Sequence, residues 1–467
     1  MANFKTIILC NMGIILLSAS CNSNDYKEEF TAITSELSST DYYGRSNYAN
    51  GDIKAAKYII DYISGIEGIT PVGNFSGTPT PAFPPHKSQV LPGDEGRWRE
   101  ISNNEKYLPF LQHFCIPMNV MRGDMSMAVD SIPLRATFDF VAKEFSPACH
   151  GTFPLEYVPD SLVTQFNFIK HLNSGEFEGK FAVINWEQYK TLPCHPFERY
   201  KPYLGELDST KIAGVILRDK ELVPYFKARS YFQTEIPVFA VNENFPKDAS
   251  NITIALDAEF LPAHDAHNII AYLPGTNPEK PCITFIAHYD HLGLMGRDNI
   301  FYGANDNASG AAMLCVLAKY FGKNRPECGL QFIWLDAEEE NLLGSFYYCQ
   351  NPTLPLDNVK FVINLDMVAD DSDHLATECS ENGMAELEII KEINSNNGEY
   401  PPFDIALQEL LDNSDHYAFS EAGVPALYFS TEGSYLKDYH SPRDSNSNFS
   451  NDNFDRLFSL IVKYINK

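Results

Sequence analysis

Positive charge is in short supply in this sequence of 467 residues. Lysine and arginine together number 35 against 62 aspartate and glutamate residues, which leaves a formal net charge of −27. A surface of this sign repels phosphate backbones and anionic lipid headgroups. We therefore expect neither a nucleic-acid partner nor membrane binding through surface charge.

Long apolar runs, internal repeats and paired cysteine motifs are also missing. Beyond residue 21 no apolar run is long enough to cross a bilayer. The ten cysteines include no Cys-x-x-Cys spacing, which argues against a thiolate zinc site and a thioredoxin-like centre. The cysteines after residue 21 allow disulfides in an exported protein, but the sequence does not select the pairs.

The amino terminus has the pattern of an export signal. Lys5 precedes an apolar stretch from Ile7 to Leu17, and small residues lead from there to Cys21. This stretch is too short to be a spanning helix. The small residues before Cys21 resemble a bacterial lipoprotein box, in which the cysteine is acylated; plain secretion is the alternative. We predict a signal peptide over residues 1–21 and a lipid anchor at Cys21, in the periplasm or at the outer membrane or cell surface of a bacterium.

Hydrophobic periodicity divides the rest of the chain into three parts. Residues 22–100 begin with helical spacing and continue into a linker rich in Pro, Gly, Ser and Thr. Residues 101–262 alternate short β-type runs with turns, and the runs are 131–138, 179–185, 213–217 and 236–241. From residue 263 to 467, strands alternate with helical stretches. The predicted fold class is α/β, with a strand-rich domain inserted near the N-terminus.

Imidazole and carboxylate side chains follow several apolar runs of the third part. Residues 283–287 lead into His288, residues 332–335 lead to the run Glu338–Glu339, and residues 361–365 lead into Asp366. Strands of an open α/β sheet bring their ligands together at the carboxyl edge. Asp306, in the small-residue loop 303–310, and His440 add two more donors of the kinds that catalytic zinc prefers. The sequence predicts a metal-dependent hydrolase.

Two zinc ions can share one carboxylate and one water when they lie about 3.5–4 Å apart. Asp306 is the candidate for the shared carboxylate. His288 and Asp366 would complete one site, and Glu339 and His440 would complete the other. Three carboxylates against two divalent ions leave one positive charge, which a single hydroxide neutralises.

Two further residues have expected roles beside these ligands. Adjacent residues after a strand project in different directions, so Glu338 is expected to face the shared water and accept its proton. Asp290, two residues after His288, is expected to orient that imidazole.

The order of these motifs resembles metallopeptidase family twenty-eight. The segments that carry the resemblance are 288–290, 303–310, 337–339 followed by 344–345, 365–367, 414–416 and 439–442. The resemblance implies a three-layer α/β/α sandwich with a mixed sheet and two zinc ions. The order of runs in residues 101–262 is similar to that of a protease-associated domain, which agrees with this family. The family pattern also sets the register of the glutamates, with Glu338 as base, Glu339 as ligand and Glu340 as neither, and it implies a cis peptide bond after Asp306.

We predict a zinc-dependent aminopeptidase that removes N-terminal residues from peptides through a zinc-bridging hydroxide. One alternative is a carboxypeptidase that acts on acidic dipeptides, for which Arg297 and Arg443 are available to bind a terminal carboxylate. An enzyme similar to the one-zinc glutaminyl cyclases and a non-catalytic binding protein on the same scaffold also stay open. His291, His374 and His416 are interpreted as structural residues.

Overall fold

The computed structural model describes residues 23–46, 48–73, 80–81, 104–163, 171–186, 210–220, 222 and 230–467. The predicted signal peptide, Cys21 and most of the predicted linker lie outside these residues. Among the described residues, no helix has both the length and the apolar character needed to cross a membrane.

The strands of the described residues are labelled in chain order. They are β1 (Thr70–Pro71), β2 (Thr80–Pro81), β3 (Leu111–Val120), β4 (Met125–Val129), β5 (Ile132–Leu134), β6 (Phe140–Ala142), β7 (Cys149–Tyr157), β8 (Phe181–Asn185), β9 (Gly214–Arg218), β10 (Val238–Val241), β11 (Asn251–Leu256), β12 (Glu259–Leu273), β13 (Cys282–His288), β14 (Gly293–Met295), β15 (Asn299–Phe301), β16 (Leu330–Leu335), β17 (Val359–Leu365), β18 (His374–Cys379), β19 (Asp404–Leu407) and β20 (Ala426–Thr431).

The helical elements are α-helices and other helical turns. The α-helices are Ser23–Leu37, Gly51–Ile63, Asp160–Val163, Gly310–Lys323, Leu343–Gln350, Met384–Ser395, His416–Glu421 and Phe454–Ile465. The other helical turns are Thr40–Arg45, Tyr48–Asn50, Leu108–Phe110, Ala304–Ser309, Leu356–Asn358, Glu381–Gly383 and Leu436–Asp438.

A ten-stranded mixed sheet forms the larger part of the protein. Its order is β19-β18-β20-β17-β13-β16-β12-β3-β2, with β1 paired to β12. The central strands β16, β13, β17 and β20 run parallel, whereas β12 and β18 run antiparallel to their neighbours β16 and β20. The predicted mixed sheet is therefore confirmed.

Alternate residues of the central strands face two helical layers. On β13, Phe285 packs into a core with the helices 23–37, 51–63, 310–323, 384–395 and 454–465. The next residue, Ile286, packs into a second core with Tyr348 and Phe419, which belong to the helices 343–350 and 416–421. Strands buried on both faces have this continuous apolar character. The result is the predicted three-layer α/β/α arrangement.

A second sheet of eight strands has the order β5-β4-β11-β7-β8-β9-β10-β6. All of its strands lie between Met125 and Leu256, a narrower range than the predicted domain at 101–262. Strand β3 lies inside that predicted range, yet it pairs with β12 in the large sheet. Period-two alternation of apolar residues identifies a strand but not the sheet to which it belongs. The predicted range 101–262 therefore included β3, which belongs to the large sheet.

Candidate metal centre

Three neighbouring parallel strands deliver side chains to one edge of the large sheet. His288 is the last residue of β13 and lies in register with Leu335, the last residue of β16. Glu338 and Glu339 follow β16, and Asp366 directly follows β17 on the other side of β13. Parallel neighbours end at the same edge, so these acidic and imidazole groups converge.

Asp306 and His440 approach the same place from loops. Asp306 lies in the turn Ala304–Ser309, immediately before the helix 310–323. The buried carboxylate of Asp444, four residues after His440, accepts hydrogen bonds from the backbone N–H groups of Asn305 (2.8 Å) and Asp306 (3.0 Å). These bonds join the two loops, and the peptide bond between Asp306 and Asn307 is cis, as the family resemblance implies.

The five predicted ligands form two groups around Asp306. His288 Nε2 lies 3.3 Å from Asp306 Oδ1 and 3.4 Å from Asp366 Oδ1. On the other side, His440 Nε2 lies 3.2 Å from Asp306 Oδ2 and 3.4 Å from Glu339 Oε2. Each oxygen of the Asp306 carboxylate therefore faces a different group.

The donor set fits a tetrahedral metal ion. Zinc bonds of about 2.0–2.2 Å to nitrogen and oxygen place neighbouring donors about 3.3–3.6 Å apart, close to the distances observed here. Among the described residues, Asp306 Oδ2, Asp366 Oδ1 and His440 Nε2 are buried and have no hydrogen-bond partner. Buried polar atoms normally have partners, and a cation between these atoms would supply one.

The carboxylates of the centre raise the pKa values of two of its histidines, His440 and His288. Burial lowers the pKa of His440, but Glu339 and Asp306 outweigh burial and raise it to about 9. The pKa of His288 is lowered by burial and raised by Glu338 and Asp366, with a net rise well above its ordinary value. A divalent cation would replace this positive charge, because metal binding to imidazole displaces the proton.

Glu338 lies at the side of the ligand groups. Its Oε2 is 4.0 Å from His288 Nε2, and its side chain is 12% exposed, more than that of any of the five ligands. Burial, together with Glu339 and Asp366, raises the pKa of Glu338 well above its ordinary value, although His288 opposes the rise. The Glu338 side chain therefore borders the ligand groups, and its surroundings favour the protonated form.

Asp290 lies behind His288, and its backbone makes the closer contact. The carbonyl oxygen of Asp290 lies 3.2 Å from His288 Nδ1, whereas its carboxylate Oδ1 lies 3.6 Å away. The same carboxylate accepts a hydrogen bond from the backbone N–H of Glu338, at 3.3 Å. Asp290 thus contacts both His288 and the segment that carries the candidate base.

The three histidines interpreted as structural have different surroundings. His374 lies beside Asp404, and the buried His416 lies beside Glu378, both outside this centre. His291 lies inside it, with Nδ1 2.9 Å from Glu339 Oε1 and 3.7 Å from Asp306 Oδ2. Its position three residues after His288 was the available sequence signal, but that spacing alone does not distinguish a buried structural histidine.

Arg45 is a second residue of the centre that the sequence did not reveal. Its fully buried guanidinium donates hydrogen bonds to five backbone carbonyls, those of Leu37 (3.2 Å), Tyr289 (2.8 Å), Tyr302 (2.7 Å), Gly303 (2.8 Å) and Asp306 (3.1 Å). Burial lowers the pKa of Arg45 to about 10, which leaves the side chain charged at neutral pH. Arg45 therefore ties the N-terminal segment to the backbone on both sides of the metal loop.

Comparison with known proteins agrees with this geometry. Residues 268–465 match the family described as peptidase family M28. Aminopeptidase YwaD of Bacillus subtilis is 28% identical over 264 residues, which cover 54% of this chain and 55% of that protein. Leupeptin-inactivating enzyme 1 of Streptomyces exfoliatus is 27% identical over 240 residues, which cover 45% of this chain and 50% of that protein. The chain thus spans about half the length of these curated relatives.

Two solved structures share the fold over most of the chain. A zinc aminopeptidase from Bacillus subtilis superposes with a TM-score of 0.64 at 18% identity, with 94% of each chain covered. An aminopeptidase from Aneurinibacillus sp. strain AM-1 gives a TM-score of 0.61 at 17% identity, with 94% of this chain and 93% of that chain covered. At these identities the likeness concerns the fold. The family match assigns residues 268–465 to peptidase family M28, and the shared fold is consistent with that assignment.

Proposed function

We propose that this protein is an exported aminopeptidase that uses two zinc ions. The observation that carries the proposal is the position of Asp306, whose two carboxylate oxygens face separate imidazole and carboxylate pairs. His288 and Asp366 would hold one ion, and Glu339 and His440 would hold the other. When bound, the ions would polarise a peptide carbonyl and lower the pKa of a water molecule.

Glu338 is the proposed general base. Its carboxylate lies within 4.8 Å of the His288 and Asp366 donor atoms and 4.0 Å from His288 Nε2, so it borders the first pair, and the family pattern assigns it the role of base rather than ligand. In this role its carboxylate takes a proton from the attacking water and gives it to the leaving amine, so the proton balance closes within one turnover. The hydrogen bond from the backbone of Glu338 to Asp290 holds this segment against the metal ligands.

The surroundings of two arginines favour an aminopeptidase over a carboxypeptidase. A carboxypeptidase needs a cation for the terminal carboxylate of its substrate, and Arg297 and Arg443 are the candidates. Arg297 is paired with Asp124, and Arg443 is paired with Asp438, each through a contact of 2.6 Å. Both guanidinium groups already have a carboxylate partner. The similar proteins described above include aminopeptidases, which supports the same choice.

Export and anchoring belong to the same proposal and depend on the sequence pattern. The apolar stretch before Cys21 supports export, and the small residues before that cysteine support a lipid anchor. The second sheet, whose strands β7 to β10 run parallel, supports the assignment of a protease-associated-like domain.

The test is hydrolysis of a panel of aminoacyl and acyl-blocked peptides by the purified protein, with and without chelator. The expected result is release of N-terminal residues from free peptides, loss of activity on chelation and recovery when zinc is added. Elemental analysis is expected to show zinc in the active protein. Cleavage of the blocked peptides would overturn the aminopeptidase assignment, and activity in zinc-free protein would overturn the metal mechanism.

A further inference from the structure

A second cluster of metal-binding residue types lies on the paired strands β3 and β12. The antiparallel register places His113 opposite His267 and Cys115 opposite Asp265. Residues two apart on a strand project to the same face, so the pairing gathers all four side chains on one face of this ribbon. None of them belongs to the metal centre described above.

Three of these side chains place their donor atoms close together. His113 Nε2 is 3.1 Å from Asp265 Oδ1, and Cys115 Sγ is 3.3 Å from the same oxygen. The nitrogen, sulfur and oxygen donors all lie within 4.8 Å of each other. A tetrahedral zinc ion with bonds of about 2.0–2.2 Å to nitrogen and oxygen and about 2.3 Å to sulfur needs donors about 3.3–3.7 Å apart. Small side-chain adjustments would therefore admit an ion.

The surroundings suit a borderline divalent cation. His113 and Cys115 are each 9% exposed and Asp265 is 3% exposed, so all three are buried or nearly so. The ring of His267 stacks on that of His113, with centroids 4.4 Å apart and planes 4° from parallel, which holds the His113 imidazole in place. A thiolate and a carboxylate together carry two negative charges, which one divalent ion neutralises.

We propose that His113, Cys115 and Asp265 bind a divalent transition-metal ion, with zinc as the first choice. Imidazole, thiolate and carboxylate in one site select zinc or a similar ion over magnesium and calcium, which prefer oxygen ligands alone. In the structure, the Cys115 thiol donates a hydrogen bond to Asp265 Oδ1, and His113 Nε2 contacts the same oxygen. Metal binding would release the thiol proton to solvent and replace these contacts.

The position of the cluster gives the ion a structural role. β3 leads from the large sheet toward the second sheet, and β12 returns from it. An ion held by His113 and Cys115 of one strand and Asp265 of the other would link the two connecting strands directly. Its loss is expected to weaken the ribbon rather than the peptidase chemistry.

Cobalt substitution distinguishes this site from the catalytic centre, because among the candidate metal groups of the described residues this is the one that includes a cysteine. The full-length protein is stripped of metal and titrated with Co²⁺, and near-ultraviolet thiolate-to-cobalt absorption is recorded. We expect the band to appear in the wild type, to reach at saturation the intensity of one thiolate-bound cobalt ion per chain, and to disappear in Cys115→Ser. Cys282→Ser is the matched control, since Cys282 is also buried but belongs to none of the candidate metal groups among the described residues.

The zinc content and a second variant complete the test. Cys115→Ser is expected to contain one zinc ion per chain fewer than the wild type and to keep its peptidase activity, and Asp265→Asn is expected to lose the same ion while it retains the thiol. Asp306→Asn changes the catalytic ligands alone and is expected to keep the cobalt–thiolate band. The β3–β12 site can therefore be tested even if the proposed peptidase function proves wrong. Absence of the band from the wild-type protein, or an unchanged band in Cys115→Ser, would overturn the proposal whether or not the variants fold.

Discussion

Replacement of Arg45 by lysine tests whether the N-terminal segment supports the metal centre. The guanidinium donates five hydrogen bonds to buried carbonyls, whereas a lysine ammonium group has only three donors. At least two carbonyls lose their donor, and each buried unsatisfied group costs about 1–3 kcal/mol. The expected loss in the free energy of unfolding is therefore about 2–6 kcal/mol.

A loss of this size is measurable, because folded domains in general are stable by only about 5–15 kcal/mol. At about 2–4 °C per kcal/mol, the unfolding temperature of zinc-loaded Arg45→Lys should fall by at least about 4 °C. The variant should also release zinc to a competing chelator sooner than the wild type, because Gly303 and Asp306 of the metal loop are among the five carbonyl groups that share the remaining three donors. Calorimetry and a chelator competition assay measure the two effects.

Arg297→Lys is the matched control, because Arg297 is 65% exposed and paired with Asp124 at the surface. It should change neither the unfolding temperature nor zinc retention. If Arg45→Lys behaved like this control in both assays, the inference that the five carbonyl contacts support the metal loop would be wrong.

Two further predictions concern the glutamate run and the second sheet. Glu338→Gln should keep its zinc but lose about 10²–10⁴-fold in kcat, because it removes the general base. The control Glu340→Gln should keep both zinc and turnover. A near-normal kcat in Glu338→Gln would refute the mechanism. Hydrogen bonds from Arg135, against the opposing effect of burial, lower the pKa of Asp139 to about 2, below its ordinary value. The ionised Asp139 carboxylate therefore stabilises the fold above about pH 4, and this stabilisation is lost as the pH falls toward about 2. Over this interval the unfolding temperature of Asp139→Asn should fall less steeply than that of the wild type. If the unfolding temperatures of the two proteins fell in parallel with pH, the assignment would be wrong.

Three of the five ligand positions were accessible to sequence analysis because each comes at or after the end of an apolar strand, whereas Asp306 and His440 lie in loops and were found from the family motifs. His288 and Asp366 come at or directly after the strands β13 and β17, and parallel strands bring their ends together whatever lies between them in the chain. The family motifs then fixed the register of Glu338 and Glu339. Local pattern and sheet topology both lead to the same edge, and the structure brings all five predicted ligands together there.

Residues that depend on long-range pairing were not accessible in this way. Arg45 lies in a short helical turn with no periodic pattern, and its partners lie as far as residue 306. The membership of β3 in the large sheet depends on its pairing with β12, which begins about 140 residues later. Local backbone geometry also limited the prediction of strand ends. Of the predicted run 131–138, only Ile132–Leu134 forms a strand, and Thr137 adopts a φ of 64°, which is incompatible with an extended strand.

The buried contacts of Arg45 also bear on what counts as the smallest working unit of this protein. The family match begins at residue 268, but the helices 23–37 and 51–63 share a core with the helix 310–323, and β3 completes the sheet beside β12. A fragment that began at residue 268 would retain every proposed zinc ligand and still expose the apolar face of that helix. It would also leave the carbonyl of Asp306 without its charged donor. The catalytic unit is therefore discontinuous in sequence. Segments before and after the second sheet contribute to the large sheet and its core, and the second sheet is inserted between them in the chain.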